Sequence, residues 1–178
     1  MRALIACLLI ASPAWADCPA PPDHSDDLDA LIAEARAAET EAEGQRISNE
    51  MWRHWADAPD EAAQALLDRG MAARRVYDLL AAHEAFDRLV AYCPDYAEGY
   101  NQRAFIAFLQ QDYAAALPDL EAALEINPRH VAALSGKALT LFGLGRTEAA
   151  RETLRAALAL NPWLSERHLL DAAPGTPL

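Results

Sequence analysis

Three prolines, Pro94, Pro128 and Pro162, stand 34 residues apart, and the chain between them recurs in the same step. Gly70, Ala104 and Ala138 share a register, as do Ala82, Ala116 and Ala150. Phe86, Leu120 and Leu154 follow, then Val90, Leu124 and Leu158. Small residues stand where two helices must approach closely, and larger apolar ones where a helix face fills a core. A period of this length with these residue types predicts a two-helix unit stacked into a solenoid. Such a unit offers a surface for holding another molecule and brings no chemistry of its own.

Read along the chain, the expected fold is all-α. Residues 28–61 form a degenerate helix pair, with Leu28, Leu31, Ile32, Ala35 and Ala38 on one face and Ile47, Met51 and Trp55 on another. The pair mimics the later units, and is read here as a first stacked repeat. Three clear units follow, 63–96, 97–130 and 131–162, their second helices capped by Asp78 and Asp112 in the first two. Pro118 falls inside a second helix, where it must kink the helix or sit on its outer face. Residues 163–172 read as a capping helix, and 173–178 as a fraying tail.

The first sixteen residues stand apart from this pattern. Arg2, an apolar stretch from Ala3 to Ala11 and Ala14-Trp15-Ala16 predict a secretory leader removed after Ala16. The apolar stretch is shorter than the roughly 20 residues a bilayer span needs. The mature chain is therefore expected in the periplasm, beginning with an arm over 17–27. Loss of Arg2, the leader's single charge, takes the net charge from −12 to −13. So acidic a chain repels phosphate, which argues against nucleic acid and anionic membrane surfaces as partners. Two cysteines survive processing, Cys18 and Cys93. In an oxidising compartment an even count suggests a bridge; the alternative is a free Cys18 on a loose arm and a buried Cys93.

Residues 63–162 resemble three tandem tetratricopeptide repeats. The residues that carry the likeness are Asp112-Tyr113-Ala114-Ala115-Ala116 with Ala122 to Pro128, and Gly145 to Ala150 with Leu160-Asn161-Pro162. The layout also resembles short exported bacterial members of this family, with Trp52 and Trp55 in a Trp-x-x-Trp element and Asn101 to Ala104 as Asn-Gln-Arg-Ala. The resemblance implies a binding or scaffold protein whose first helices line a concave groove. It places Met71, Arg74, Asn101, Phe105, Phe108, Leu109, Leu139 and Phe142 there, with Leu67, Arg75 and Ser135 beside them. Some members hold a partner's C-terminal carboxylate in this groove; here the positions are mostly apolar and aromatic, which suits the apolar face of a helix or an extended peptide. Burial of the same aromatics by the chain's own arm or capping helix is the competing reading. Arg103, beside the small Ala104, needs an ion pair, with Asp78 or Asp119 in reach.

No catalytic residue, cofactor or metal is expected. The histidines His24, His54, His83, His130 and His168 show no metal-binding spacing; Asp23-His24 with Asp26 and Asp27 offers at most loose contact to a divalent ion, as any exposed acidic arm does. There is no Gly-rich phosphate loop and no Gly-x-Ser-x-Gly elbow. The expected function is a periplasmic interaction module for a peptide or helix of an envelope protein. The alternative is a self-associating structural protein, a homodimer through the Trp163 face or the early helix pair.

Overall fold

A computed structural model describes residues 17–171; the expected leader and the tail fall outside the described residues. Eight α-helices are present there: α1 Ser25–Ala37, α2 Glu41–Trp55, α3 Glu61–Arg75, α4 Leu79–Tyr92, α5 Ala97–Leu109, α6 Tyr113–Ile126, α7 Val131–Gly143 and α8 Thr147–Leu160. A short 3-10 helix, Ser165–Leu170, stands where a capping α-helix was expected over 163–172. The described residues contain no strand.

Side-chain caps start the helices where the sequence offers an acceptor. Asp78 accepts from the Ala81 amide at 3.1 Å and Asp112 from the Ala115 amide at 3.1 Å, as expected. Thr40 and Asp60 do the same for α2 and α3. Within each repeat the turn between helices ends on one left-handed residue, and these three keep the 34-residue step: Tyr77 at φ 61°, Gln111 at φ 61° and Gly145 at φ 72°. The amide after each reaches back five residues, as Asp112 N does to Ala107 O at 2.9 Å. This satisfies a carbonyl at the helix end. Pro118 leaves α6 unbroken and sits exposed on its outer face, where its missing N–H costs least.

The hairpins α3–α4, α5–α6 and α7–α8 stack in sequence. Leu67, Phe86, Leu89 and Ile106 are fully buried between the first two, each worth about 1.5–3 kcal/mol of transfer from water. Between the second and third, the core is mostly alanine: Ala104, Ala107, Ala116, Ala123 and Ala133 with Leu120. Small residues let these helices approach, as the repeat register predicted. Gly70 packs so closely on Phe86 that a Cβ there would overlap the ring.

The α1–α2 hairpin departs from expectation. It does not stack as a first repeat on α3; it folds back to the far end of the solenoid. Leu31, Ile32, Ala35, Ile47, Met51 and Trp55 form one core with Val131 of α7, and Leu160 and Leu164 pack against it. Polar contacts fasten the join: Arg36 Nε donates to Ala159 O at 2.7 Å, Asn161 Nδ2 to Ser48 Oγ at 2.7 Å, and Trp163 Nε1 to Ala35 O at 3.1 Å. Gly44 lies flush against Trp163. The first hairpin thus meets the end of α8 and the segment after it. The surfaces expected to make a homodimer, the Trp163 face and the early helix pair, are spent on each other.

Candidate functional site

The concave face is organised around one buried carboxylate. Glu98, in the first turn of α5, is 1% exposed, and His130, just before α7, is fully buried. Glu98 Oε2 accepts from Asn101 Nδ2 at 2.9 Å and lies 3.0 Å from His130 Nε2; Oε1 accepts from Gln102 Nε2 at 2.5 Å. Arg74 Nη1 donates to Gln102 Oε1 at 2.6 Å, extending the network to α3. His130 Nδ1 accepts from the Ala133 amide at 3.3 Å. Only an unprotonated Nδ1 can accept, so His130 is the tautomer with its proton on Nε2, donated to Glu98. Burial pushes the Glu98 carboxyl up, but the hydrogen bond and electrostatic attraction of His130, with the hydrogen bonds from Gln102 and Asn101, outweigh it and hold the group below the usual carboxylate range.

Over this network lies α2. The Trp55 indole stacks on His130 with ring centroids 4.3 Å apart and 19° between planes. Tyr96, before α5, donates its hydroxyl to Trp55 O at 2.7 Å. Burial, with nearby carboxylates, raises the Tyr96 phenol well above its ordinary value, so it stays a donor throughout. The Trp-x-x-Trp and Asn-Gln-Arg-Ala elements therefore serve each other within the chain.

What remains of the groove is a cavity of about 280 Å³ between α2, α5, α7 and the 3-10 helix. Phe105, Phe108, Leu139, Trp52 and Leu164 supply its apolar wall. Ser135 and Thr140 also line it; both are buried, and neither hydroxyl has a hydrogen-bond partner among the described residues. The Phe105 ring lies 6.4 Å from Phe108 and nearly parallel to it, with the Arg74 guanidinium 5.0 Å from its centroid. It remains 40% exposed.

The eight residues expected to meet a partner thus divide. Phe105, Phe108, Leu139 and Asn101 line the cavity. The Asn101 amide, however, is committed to Glu98, and Arg74 to Gln102 and the Phe105 ring. Met71 packs on the α3–α4 core, and Phe142 on the Ala138–Leu154–Leu169 cluster. Leu109 is half-buried and away from the cavity. Trp52, Thr140, Leu164 and Glu166 belong to the wall, although the repeat pattern does not mark them. Leu164 and Glu166 come from the expected capping segment, whose entry into the groove is the competing reading; Trp52 comes from α2, and Thr140 lies one turn after Gly136 on α7. Arg103 makes the expected ion pair: its guanidinium is bidentate on Asp119 at 2.7 and 2.8 Å, and reaches Asp87, not Asp78, at 2.8 Å.

Two features lie away from the groove. Cys18 and Cys93 are placed side by side, Cα atoms 5.1 Å apart, within disulfide reach. Val76, Tyr77 and Leu80, at the α3–α4 turn, are 76%, 68% and 71% exposed and form an apolar patch. No helix among the described residues is long and apolar enough to cross a membrane.

A model of the tetratricopeptide repeat family matches residues 107–168. A TPR repeat-containing protein of Rhizobium etli is 31% identical over 121 residues, covering 68% of this chain and 59% of that protein. Tetratricopeptide repeat protein 36 of Homo sapiens is 40% identical over 67 residues, 38% of this chain and 35% of that one. The chain spans less than two thirds of these curated relatives. Among solved structures, the TPR2B-domain:pHsp70 complex of yeast Sti1 matches with a TM-score of 0.58 at 24% identity, covering 63% of this chain and 92% of that one. A MamA double mutant matches at 0.53 and 21%, covering 80% and 78%. At these identities the likeness carries the helical-repeat fold alone.

Proposed function

Because this chain belongs to the tetratricopeptide repeat family, we propose that it is a noncatalytic interaction module of the periplasm whose concave cavity seats one or two apolar side chains of an extended envelope-protein segment. The observation that carries this reading is the cavity itself: an apolar wall at Phe105, Phe108 and Leu139, with two buried, unpartnered hydroxyls at Ser135 and Thr140. A whole helix, about 10–12 Å across, does not fit where α2 already lies. A guest's C-terminal carboxylate is disfavoured, because Glu98 already takes the donors of Asn101 and Gln102. The periplasmic location rests on the leader-like residues 1–16, and the same compartment favours a Cys18–Cys93 bond.

Selection of displayed peptides on the immobilised protein tests the reading. Selected sequences should share an aromatic or aliphatic anchor, and Phe105→Glu should weaken them at least tenfold while leaving helicity intact. Peptides that bind the variant equally well move the site elsewhere.

The exposed patch Val76, Tyr77 and Leu80 favours a second reading, self-association through the α3–α4 turn. Light scattering across concentrations decides it, since a strict monomer removes that reading.

A further inference from the structure

The start of α1 and the end of α2 meet at the open end of their hairpin, and there the fold assembles two imidazoles that the sequence keeps thirty residues apart. His24 and His54 face each other with ring centroids 4.8 Å apart. Asp27 joins them: one ligand atom from each of His24, His54 and Asp27 falls within 4.8 Å of the other two. Behind His24 stands a fourth group, Asp57, whose Oδ2 is 2.7 Å from His24 Nε2. That contact commits Nε2–H to a carboxylate and leaves the Nδ1 lone pair free, 3.9 Å from Asp27 Oδ2.

We propose that His24, His54 and Asp27 form a binding site for a divalent transition-metal ion, with Asp57 positioning His24. The donor set sorts the ions by class. Two imidazoles and one carboxylate suit Zn²⁺ and its neighbours, whereas Ca²⁺ and Mg²⁺ ask for oxygen throughout. Ligand bonds of about 2.0–2.1 Å require the three donors to close in by roughly an ångström. Asp27 is 67% exposed and both histidines lie near helix ends, so the side chains have room to do so. A carboxylate holding the far nitrogen of a metal-binding histidine fixes its tautomer and strengthens its basicity. The neighbourhood is acidic, with Asp23, Asp26 and Asp29 nearby in sequence, which favours a cation over the anions it would otherwise meet. Three protein ligands leave a tetrahedral ion one further position, at the rim of a second cavity of about 380 Å³ lined in part by His24, His54 and Asp57. Bound metal would clasp the arm and α1 to the end of α2, beside Trp55, and so tighten the closure over the groove.

The test is Zn²⁺ titration of the mature chain, purified without a histidine tag, against a chromophoric chelator. One Zn²⁺ per chain is expected, with the thermal midpoint rising as the ion is added. The His24→Ala/His54→Ala double variant should lose at least tenfold in affinity while keeping its helical spectrum. Asp57→Asn, which leaves all three ligands in place, should weaken binding by about 10–100-fold. Co²⁺ in place of Zn²⁺ should give the visible bands of a tetrahedral nitrogen–oxygen site in the parent chain. Absence of stoichiometric binding, or binding by the double variant as tight as that of the parent chain, overturns the proposal.

Discussion

Trp55 lies stacked on His130, centroids 4.3 Å apart, so the last turn of α2 roofs the buried Glu98–His130 pair at the mouth of α7. The N-terminal hairpin thereby closes a helical-repeat groove from within. The closure is local in sequence on one side and distant on the other, so it can be loosened without unfolding the repeats.

Trp55→Ala should therefore cost about 3–5 kcal/mol, the usual range for truncating a buried tryptophan. Hydrogen exchange locates the loss. Amides of α1 and α2 should exchange much faster, while those of α5 and α6 keep their protection. Uniform acceleration across all eight helices would show that the hairpin is not a separable lid.

Glu98→Gln removes a charge that accepts three hydrogen bonds and should destabilise the fold by about 2–4 kcal/mol. The sign with pH follows from the depressed carboxyl. Its contribution is present above the ordinary carboxylate value, about 4.3, and is lost as pH falls through the lower folded value. Urea unfolding from neutral to acid pH should show stability falling in that window, and the variant should show a shallower fall.

Gly44→Ala places a Cβ on the Trp163 side chain. Alanine is the better helix former by about 1 kcal/mol, yet the overlap should reverse the sign and cost about 1–3 kcal/mol. Gly99→Ala serves as the control: its new Cβ meets Leu89 and Val90 no closer than 3.4 Å, so it should be neutral or stabilising. Thermal midpoints of the pair check this directly.

A Cys18–Cys93 bond spans 75 residues, and the chain-entropy model gives such a loop about 4–5 kcal/mol. Mass spectrometry of the exported chain should find the mature protein two hydrogens lighter than its dithiol form. Reduction should lower the unfolding midpoint by a corresponding amount.

Much of the helical frame is legible in the sequence because it depends on local signals. The caps at Asp78 and Asp112 act three positions away, and the 34-residue step carries the small residues of the middle core from one repeat to the next. The Arg103–Asp119 pair is legible because a charge beside Ala104 needs a partner. The return of α1–α2 is not, because its apolar face reads the same whether it meets α3 or α8. Only the complement identifies the partner surface: Gly44 against Trp163, and Val131 in one core with Trp55. Those pairs are separated by 119 and 76 residues, and no periodicity links them. Asn101 and Arg74 are not free to meet a guest for a related reason. Their polar ends look unclaimed in the sequence, but the buried Glu98, one turn before Asn101, takes up the Asn101 and Gln102 amides, and the Gln102 oxygen takes up Arg74.

Site-specific photocrosslinking in the periplasm tests the cavity as a docking site most directly, with a benzophenone side chain placed in turn at Phe105, Leu139 and the outward-facing Ala156. The expected result is one discrete adduct, with the same polypeptide, from positions 105 and 139 and none from 156. Adducts confined to 156, or none at the two cavity positions while the chain is folded and exported, would contradict it.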